Sequence, residues 1–291
     1  NDAQNNFHYR KRVMAMKKIE TVEEMQKIAL DILIFIDAFC REHDLKYFIV
    51  DGTLLGAVRH HGFIPWDDDI DIWMPREDYD KITELLGPDS GSRYQMVNLK
   101  NASWYRYAFG KIIDTRTRLV EDNGYSGELG VFVDVFPYDG LPGEKEEDYA
   151  PLVNRMIALE THRGFSCRTY RDYLSYGDGK GNPLKFAKWL VRKLYGPRRI
   201  LKKMDRFARS CPVEGAAMVG CISDGYRLSD MMPADVVRET TELEFEGHLF
   251  RAPAGYEYYL KKIYGDYMKL PPEEQRVTNH LFQAWWKEPE I

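Results

Sequence analysis

The sequence predicts an α/β (α+β) fold, a mixed sheet flanked by helices and followed by a helical extension. Strand-type apolar runs at 47–50, 70–74 and 130–137 alternate with helical patterns at 21–43 and 76–86. The stretch from about 144 to 210 then reads as mostly helical. Inside the second apolar run a cluster of acids, Asp67, Asp68, Asp69 and Asp71, sits where a strand should enter the core.

Taken in order, Thr21 and Glu24 form a capping box for a helix running to about His43. Its Met25, Ile28, Ile32, Leu33, Ile36 and Phe39 line one face, which should pack on the sheet. Residues 47–50 read as a strand closed by Asp51-Gly52-Thr53, with a short helix over 54–59 and a turn at His61-Gly62. A helix over 76–86 is ended by Gly87-Pro88. Candidate strands follow at 94–99, 105–113, 117–120 and 130–137. The helical middle is interrupted by a loop at 177–183, and short strands near 243–250 precede the last helices.

The acids at 66–71 need a physical reason. In a strand, positions i and i+2 share a face, so Asp69 and Asp71 point the same way, joined by Asp67 if the strand begins early. Carboxylates held this close repel, and burial disfavours their charge, unless a cation sits among them. Hard divalent ions with oxygen ligands, Mg²⁺ or Mn²⁺, suit such a site. The alternative is a solvated acidic turn before an ordinary strand. Gly52-Thr53 at a strand-to-helix junction allows close backbone approach and offers amide and hydroxyl donors to an anion. Asp134 is a single acid amid Val and Phe, either a third metal ligand or a local turn cap.

These residues carry a resemblance. Residues 51–71, DGTLLGAVRHHGFIPWDDDID, resemble the signature of the LicD family of phosphocholine-transferase-like proteins, related to the fukutin group of the nucleotidyltransferase superfamily. The likeness continues through Lys111, Ile112, Ile113, Asp114 and Thr117, and through 131–142, VFVDVFPYDGLP. It returns at Tyr264, Gly265, Asp266, Tyr267 and Met268, with Leu270, Pro271, Pro272 and His280. The resemblance implies a nucleotidyltransferase fold and transfer of a phospho-alcohol from a CDP-activated donor to a sugar hydroxyl. It makes Gly52 and Thr53 the phosphate-contacting pair, Asp69 and Asp71 the metal carboxylates, and Asp134 the third acid. Asp67 matches the first acid of a spaced W-D-x-D-x-D form. Thr53 stands where many members of the superfamily have Ser, and the interval to Asp69 is longer than in many. No counterpart of the fukutin-like zinc-binding cysteines is present, which favours the bacterial side of the family.

At 291 residues the chain is long enough for one large domain. Its 44% hydrophobic and 30% charged content is that of a globular protein, and a net charge of −5 argues against a nucleic-acid binder. The N-terminus lacks a signal-peptide core, and the best apolar run, 28–39, is broken by Asp31 and Asp37. Cys40, Cys167, Cys211 and Cys221 lack metal-ligand spacing and are expected as reduced thiols. Basic residues crowd 185–206 with Phe186, Trp189, Leu190 and Leu194 interleaved. That segment reads either as a solvated helix face with its stripe in the core, the favoured reading, or as a membrane or anionic-glycan contact. Trp66, Trp104, Tyr105, Tyr107, Tyr125, Trp285 and Trp286 are candidates for a quaternary-ammonium cage, although most aromatics serve packing.

The expected function is metal-dependent phosphotransfer. Asp69, Asp71 and Asp134 are the catalytic candidates, and with Asp67 they are the ligands of two Mg²⁺ or Mn²⁺ ions. Gly52, Thr53, Arg59, Lys111 and His280 are the nucleotide and phosphate candidates; Arg59 can instead brace the aspartates, and His280 can be structural. The expected donor is a CDP-alcohol, CDP-choline first. The expected acceptor is a lipid-linked or oligosaccharide glycan such as teichoic acid or lipopolysaccharide, met in the cytoplasm or at the inner face of the membrane. The alternatives are nucleotidyl transfer onto a small molecule and a catalytically silent glycan-binding module. Residues 1–143 form the expected catalytic core and 144–291 a mostly helical extension on the acceptor side, or the two are one continuous domain.

Overall fold

The computed structural model describes residues 16–121, 129–167, 170–175, 181–224, 228–277 and 282–287. A short strand, β1 (Lys17–Ile19), leads into helix α1 (Val22–Glu42). The Thr21 hydroxyl accepts from the Glu24 amide at 3.1 Å, and the Glu24 carboxylate accepts from the Glu20 amide at 2.9 Å. One orphan donor of the first turn and the amide just ahead of the cap are thereby satisfied. The helix buries Ile28, Ala29, Ile32, Leu33, Ile36 and Cys40.

Next come β2 (Phe48–Ile49), α2 (Asp51–His60), β3 (Asp71–Pro75), α3 (Arg76–Leu85), β4 (Tyr94–Val97), β5 (Gly110–Asp114), β6 (Thr117–Glu121) and β7 (Phe132–Leu141). The main sheet runs β2-β3-β7-β5-β4. The β3–β7 pair is parallel and its other neighbours are antiparallel, so the sheet is mixed. Strand β7 is buried along its whole length. After it come α4 (Glu146–Cys167), α5 (Tyr170–Ser175), α6 (Pro183–Tyr195) and α7 (Pro197–Ala208). The chain then forms β8 (Met218–Gly220), β9 (Met232–Pro233), α8 (Asp235–Arg238), the hairpin β10 (Thr240–Phe245) and β11 (His248–Pro253), α9 (Tyr256–Tyr264) and β12 (Phe282–Trp286). Strand β8 pairs with the far end of β7.

Two apolar clusters result. The larger joins α1 and the sheet to residues of the C-terminal part, among them Phe245, Phe250, Tyr259 and Leu260. The smaller, with Leu141, Val153, Met156, Ile200, Leu201 and Met204, packs α4 and α7 at the end of β7. Arg76 links the two regions: its Nε donates to Asp139 Oδ1 at 2.7 Å and its Nη1 to Asp205 at 3.3 Å.

Several elements differ from the sequence expectation. Helix α2 starts at Asp51, so Gly52 and Thr53 lie in its first turn rather than ahead of it. Strand β3 begins at Asp71, leaving 66–70 irregular, because ladder pairing with β2 begins only at Ile72. Of 105–113, only Gly110 onward is strand. The preceding aromatics instead pack on one another, with Tyr105–Tyr107 and Tyr107–Phe109 ring centroids 5.5 and 5.3 Å apart. Near the C-terminus β12 is a strand, held between β1 and β6 in a separate sheet. The basic segment splits: α7 buries Ile200, Leu201, Met204 and Ala208, whereas α6 buries none of its residues. The core-stripe reading therefore fails for its first half. No helix among the described residues is long and apolar enough to cross a membrane.

Candidate active site

Three neighbouring strands bring charge to one line across the sheet. In the parallel pair Asp71 stands opposite Asp134, and in the antiparallel pair Lys111 stands opposite the same Asp134. The Asp134 amide also donates to the Ile70 carbonyl at 2.8 Å, carrying the pairing one residue beyond β3. Asp69, two residues before Asp71, reaches the same place. Asp69, Asp71 and Asp134 each offer an oxygen, and these lie within 4.8 Å of one another. Lys111 Nζ contacts Asp134 Oδ1 at 2.6 Å, with both side chains buried. The Lys111 ammonium also lies over the Phe132 ring, 3.5 Å from its centroid.

Like charges this close in a partly dry site are costly. Desolvation pushes the Asp71 carboxyl well above the usual range, and Asp69, Asp134, Asp51 and Asp67 push it further. The donor set is all carboxylate oxygen, closely spaced and in excess of the nearby positive charge. That is the chemistry of a hard divalent cation site, so Mg²⁺ or Mn²⁺ fits the residues present.

The turn between β2 and β3 is built around these acids. The Thr53 hydroxyl, buried, accepts from the Asp71 amide at 2.9 Å, and the Val50 amide donates to the Asp71 carbonyl at 3.0 Å. Thr53 thus fixes the strand that presents Asp71, and its own proton stays available to donate. Gly52 lies against the acidic loop: a Cβ there would sit 2.5 Å from Asp67 Oδ2. Asp67 is held from behind by Gln26, whose side-chain amide donates to its carbonyl at 2.7 Å. Gly56 is needed for close approach too, since a Cβ would lie 2.4 Å from the Gly62 carbonyl oxygen.

The remaining sequence candidates are placed as follows. Asp67 groups with Asp68 and Asp69 rather than with Asp134. Arg59 Nη1 donates to the Tyr267 carbonyl at 2.9 Å, bracing the C-terminal segment. Lys111 is engaged with Asp134. His280 and Tyr125 lie outside the described residues. Among the described residues the aromatic candidates do not gather into one cage: Trp66 packs against His60 and under Arg276, Trp104, Tyr105 and Tyr107 form a ring run, and Trp285 and Trp286 belong to β12.

Sequence reasoning passed over Asp51, Tyr259, Tyr264 and Gln26. Asp51 opens α2 with φ 46° and accepts from the Tyr259 hydroxyl at 2.6 Å. That left-handed backbone is uncommon outside Gly, Asn and Asp, and it marks a constrained position beside the acids. Tyr264, 40% exposed as a residue, has its hydroxyl raised above its ordinary value by desolvation and by the charges of Asp51, Asp71, Asp67 and Asp69. Adjacency to Gly52-Thr53 was a usable signal for Asp51, and the family-like block was one for Tyr264. Tyr259 and Gln26 carried none.

Comparison with known proteins adds to this geometry. The family model described as LicD/FKTN/FKRP, nucleotidyltransferase domain, matches residues 44–165, which span the acids and Lys111. The lipopolysaccharide cholinephosphotransferase LicD of Haemophilus influenzae is 32% identical over 275 residues, covering 93% of this chain and 99% of that protein. The ribitol 5-phosphate transferase FKRP of Homo sapiens is 30% identical over 104 residues, 36% of this chain and 19% of that protein. A full-length match at this identity, together with the domain match, makes the chain a member of the LicD family and a transferase.

Proposed function

We propose that this protein moves a phospho-alcohol, phosphocholine first, from a CDP-activated donor to a sugar hydroxyl of a cell-surface glycan such as lipopolysaccharide or teichoic acid. The observation that carries the reading is the group Asp69, Asp71 and Asp134 aligned with Lys111 across three strands. The name of the Haemophilus relative supports phosphocholine and a lipopolysaccharide acceptor. The name of the human relative supports the wider class of phospho-alcohols.

Mg²⁺ or Mn²⁺ held by Asp69, Asp71 and Asp134 would supply positive charge against the donor phosphates and the acceptor oxygen. Asp134 accepts the proton of the acceptor hydroxyl, and that oxygen bonds to the phosphorus bearing the alcohol. The bond from this phosphorus to the bridging oxygen breaks, and CMP leaves with that oxygen. Lys111, 2.6 Å from Asp134, holds the carboxylate in place and adds positive charge to the site. Thr53 fixes the strand that presents Asp71, and the Gly52 amide side of α2 takes the donor phosphates. Cys40, Cys211 and Cys221 are unbridged, which suits a cytoplasmic site.

The test is a screen of CDP-choline, CDP-ethanolamine, CDP-glycerol and CDP-ribitol with Mg²⁺ and a glycan acceptor. The expected result is acceptor-dependent CMP release and no pyrophosphate from nucleoside triphosphates. Pyrophosphate from a triphosphate, with no CMP from any CDP-alcohol, would assign nucleotidyl transfer instead. Glycan binding without either product would assign a silent module.

A further inference from the structure

Helix α6 is turned inside out. Its half-buried residues are Lys185, Trp189 and Arg192, spaced i, i+4 and i+7 on one face. The opposite arc is apolar and faces outward: Leu184, Val191 and Leu194 are 64, 65 and 71% exposed. Ala187, Leu190 and Tyr195 lie on the same arc and are exposed as well. An ordinary surface helix does the reverse, burying the apolar stripe. Tyr195 is partly covered by His162, and the other five apolar residues of the arc face water on a single 13-residue helix, a patch that calls for a covering surface.

Charge says what that surface is. Lys188 and Lys193 are exposed beside the arc, and Arg199, Lys202 and Arg206 are exposed on α7, which follows after Gly196. Residues 181–204 contain no acid at all, in a chain whose net charge is −5. A second copy of this chain would set like charges face to face, which opposes self-association through this arc. The helix is also too short and too charged to span a bilayer. An apolar arc rimmed by lysine and arginine has the form of a helix lying in an anionic lipid interface.

We propose that α6, flanked by the basic residues of α7, docks this transferase on an anionic membrane surface, its apolar arc inserted among the acyl chains and its lysines at the head groups. The site chemistry above does not require this, so either can fail alone. Sedimentation of the whole protein with vesicles tests it, using phosphatidylcholine alone and an equimolar mixture with phosphatidylglycerol. The protein is expected to partition onto the mixed vesicles at low salt and to be released at high salt. Lys188→Gln and Lys193→Gln should each lower the partition coefficient about fivefold. Leu194→Glu should abolish binding while CMP release with a soluble acceptor and the melting temperature stay as in the wild type, because the side chain touches little of the protein. No binding to mixed vesicles, equal binding to pure phosphatidylcholine, or wild-type binding by Leu194→Glu would each overturn the proposal. So would a dimer in sedimentation that Leu194→Glu converts to monomer, since a second copy would then cover the arc.

Discussion

Gly52 and Asp67 form a steric pair at the edge of the acidic group. A side chain at 52 would meet Asp67 Oδ2 at 2.5 Å, and the atom it meets is the movable end of a side chain. Gly52→Ala therefore separates folding from function. The carboxylate can swing aside, and alanine favours the helix that Gly52 begins, so stability should change by no more than about 1 kcal/mol. Turnover should fall at least about tenfold, because the Asp67 carboxylate is displaced from its place beside the acids. Urea midpoints measured beside CMP release check both halves. Full turnover in the variant would mean that the placement of the Asp67 carboxylate has no part in the chemistry.

At the scale of elements, the buried pair Arg76–Asp139 fixes α3 to β7, and the contact of Arg76 with Asp205 ties α7 to both. Desolvation outweighs the pull of Arg76 and leaves the Asp139 carboxyl above its ordinary value, while Asp139 holds the Arg76 guanidinium protonated. Both charges have left water, and their mutual attraction offsets that loss only in part. Breaking the pair at one end should then be worse than removing it. Asp139→Asn is expected to cost about 3–5 kcal/mol, and the double variant Arg76→Met, Asp139→Leu clearly less. Equal urea midpoints for the single and double variants would contradict this. Elements with strong local signals were legible in the sequence. Helix α1 carries its capping box and apolar stripe within one stretch, and the strands bearing Asp71 and Asp134 are dense in apolar residues. Strand β12 was not legible, because what makes 282–286 extended is pairing with β1 and β6, far away in sequence. The aromatic run 105–109 misled for a related reason: ring packing and ladder pairing draw on the same residue types.

The whole molecule closes on its acids from both ends of the chain. Helix α1 holds Asp67 through Gln26, and α9 holds Asp51 through Tyr259, 208 positions away. Arg59 reaches the Tyr267 carbonyl over the same distance. The C-terminal segment is thus part of the site wall, in keeping with a family likeness that extends over 93% of the chain rather than the matched domain alone. Such ties were invisible in the sequence because neither partner carries a local motif. The acids themselves stood out in the sequence, since carboxylates beside strand-like apolar runs are costly, and the fold brings Asp69, Asp71 and Asp134 together.

Asp69, Asp71 and Asp134 are proposed to act together on a phosphate. Asp71 probes this directly, because desolvation and four neighbouring acids raise its carboxyl. The deciding measurement is CMP release from CDP-choline with glycan acceptor at saturating Mg²⁺, for wild type and Asp71→Asn. Turnover in the variant should fall by about three orders of magnitude or more, roughly 4 kcal/mol, with the fold intact because repulsion has been relieved. Turnover within about tenfold of wild type would show that Asp71 has no part in holding the ion or in the transfer.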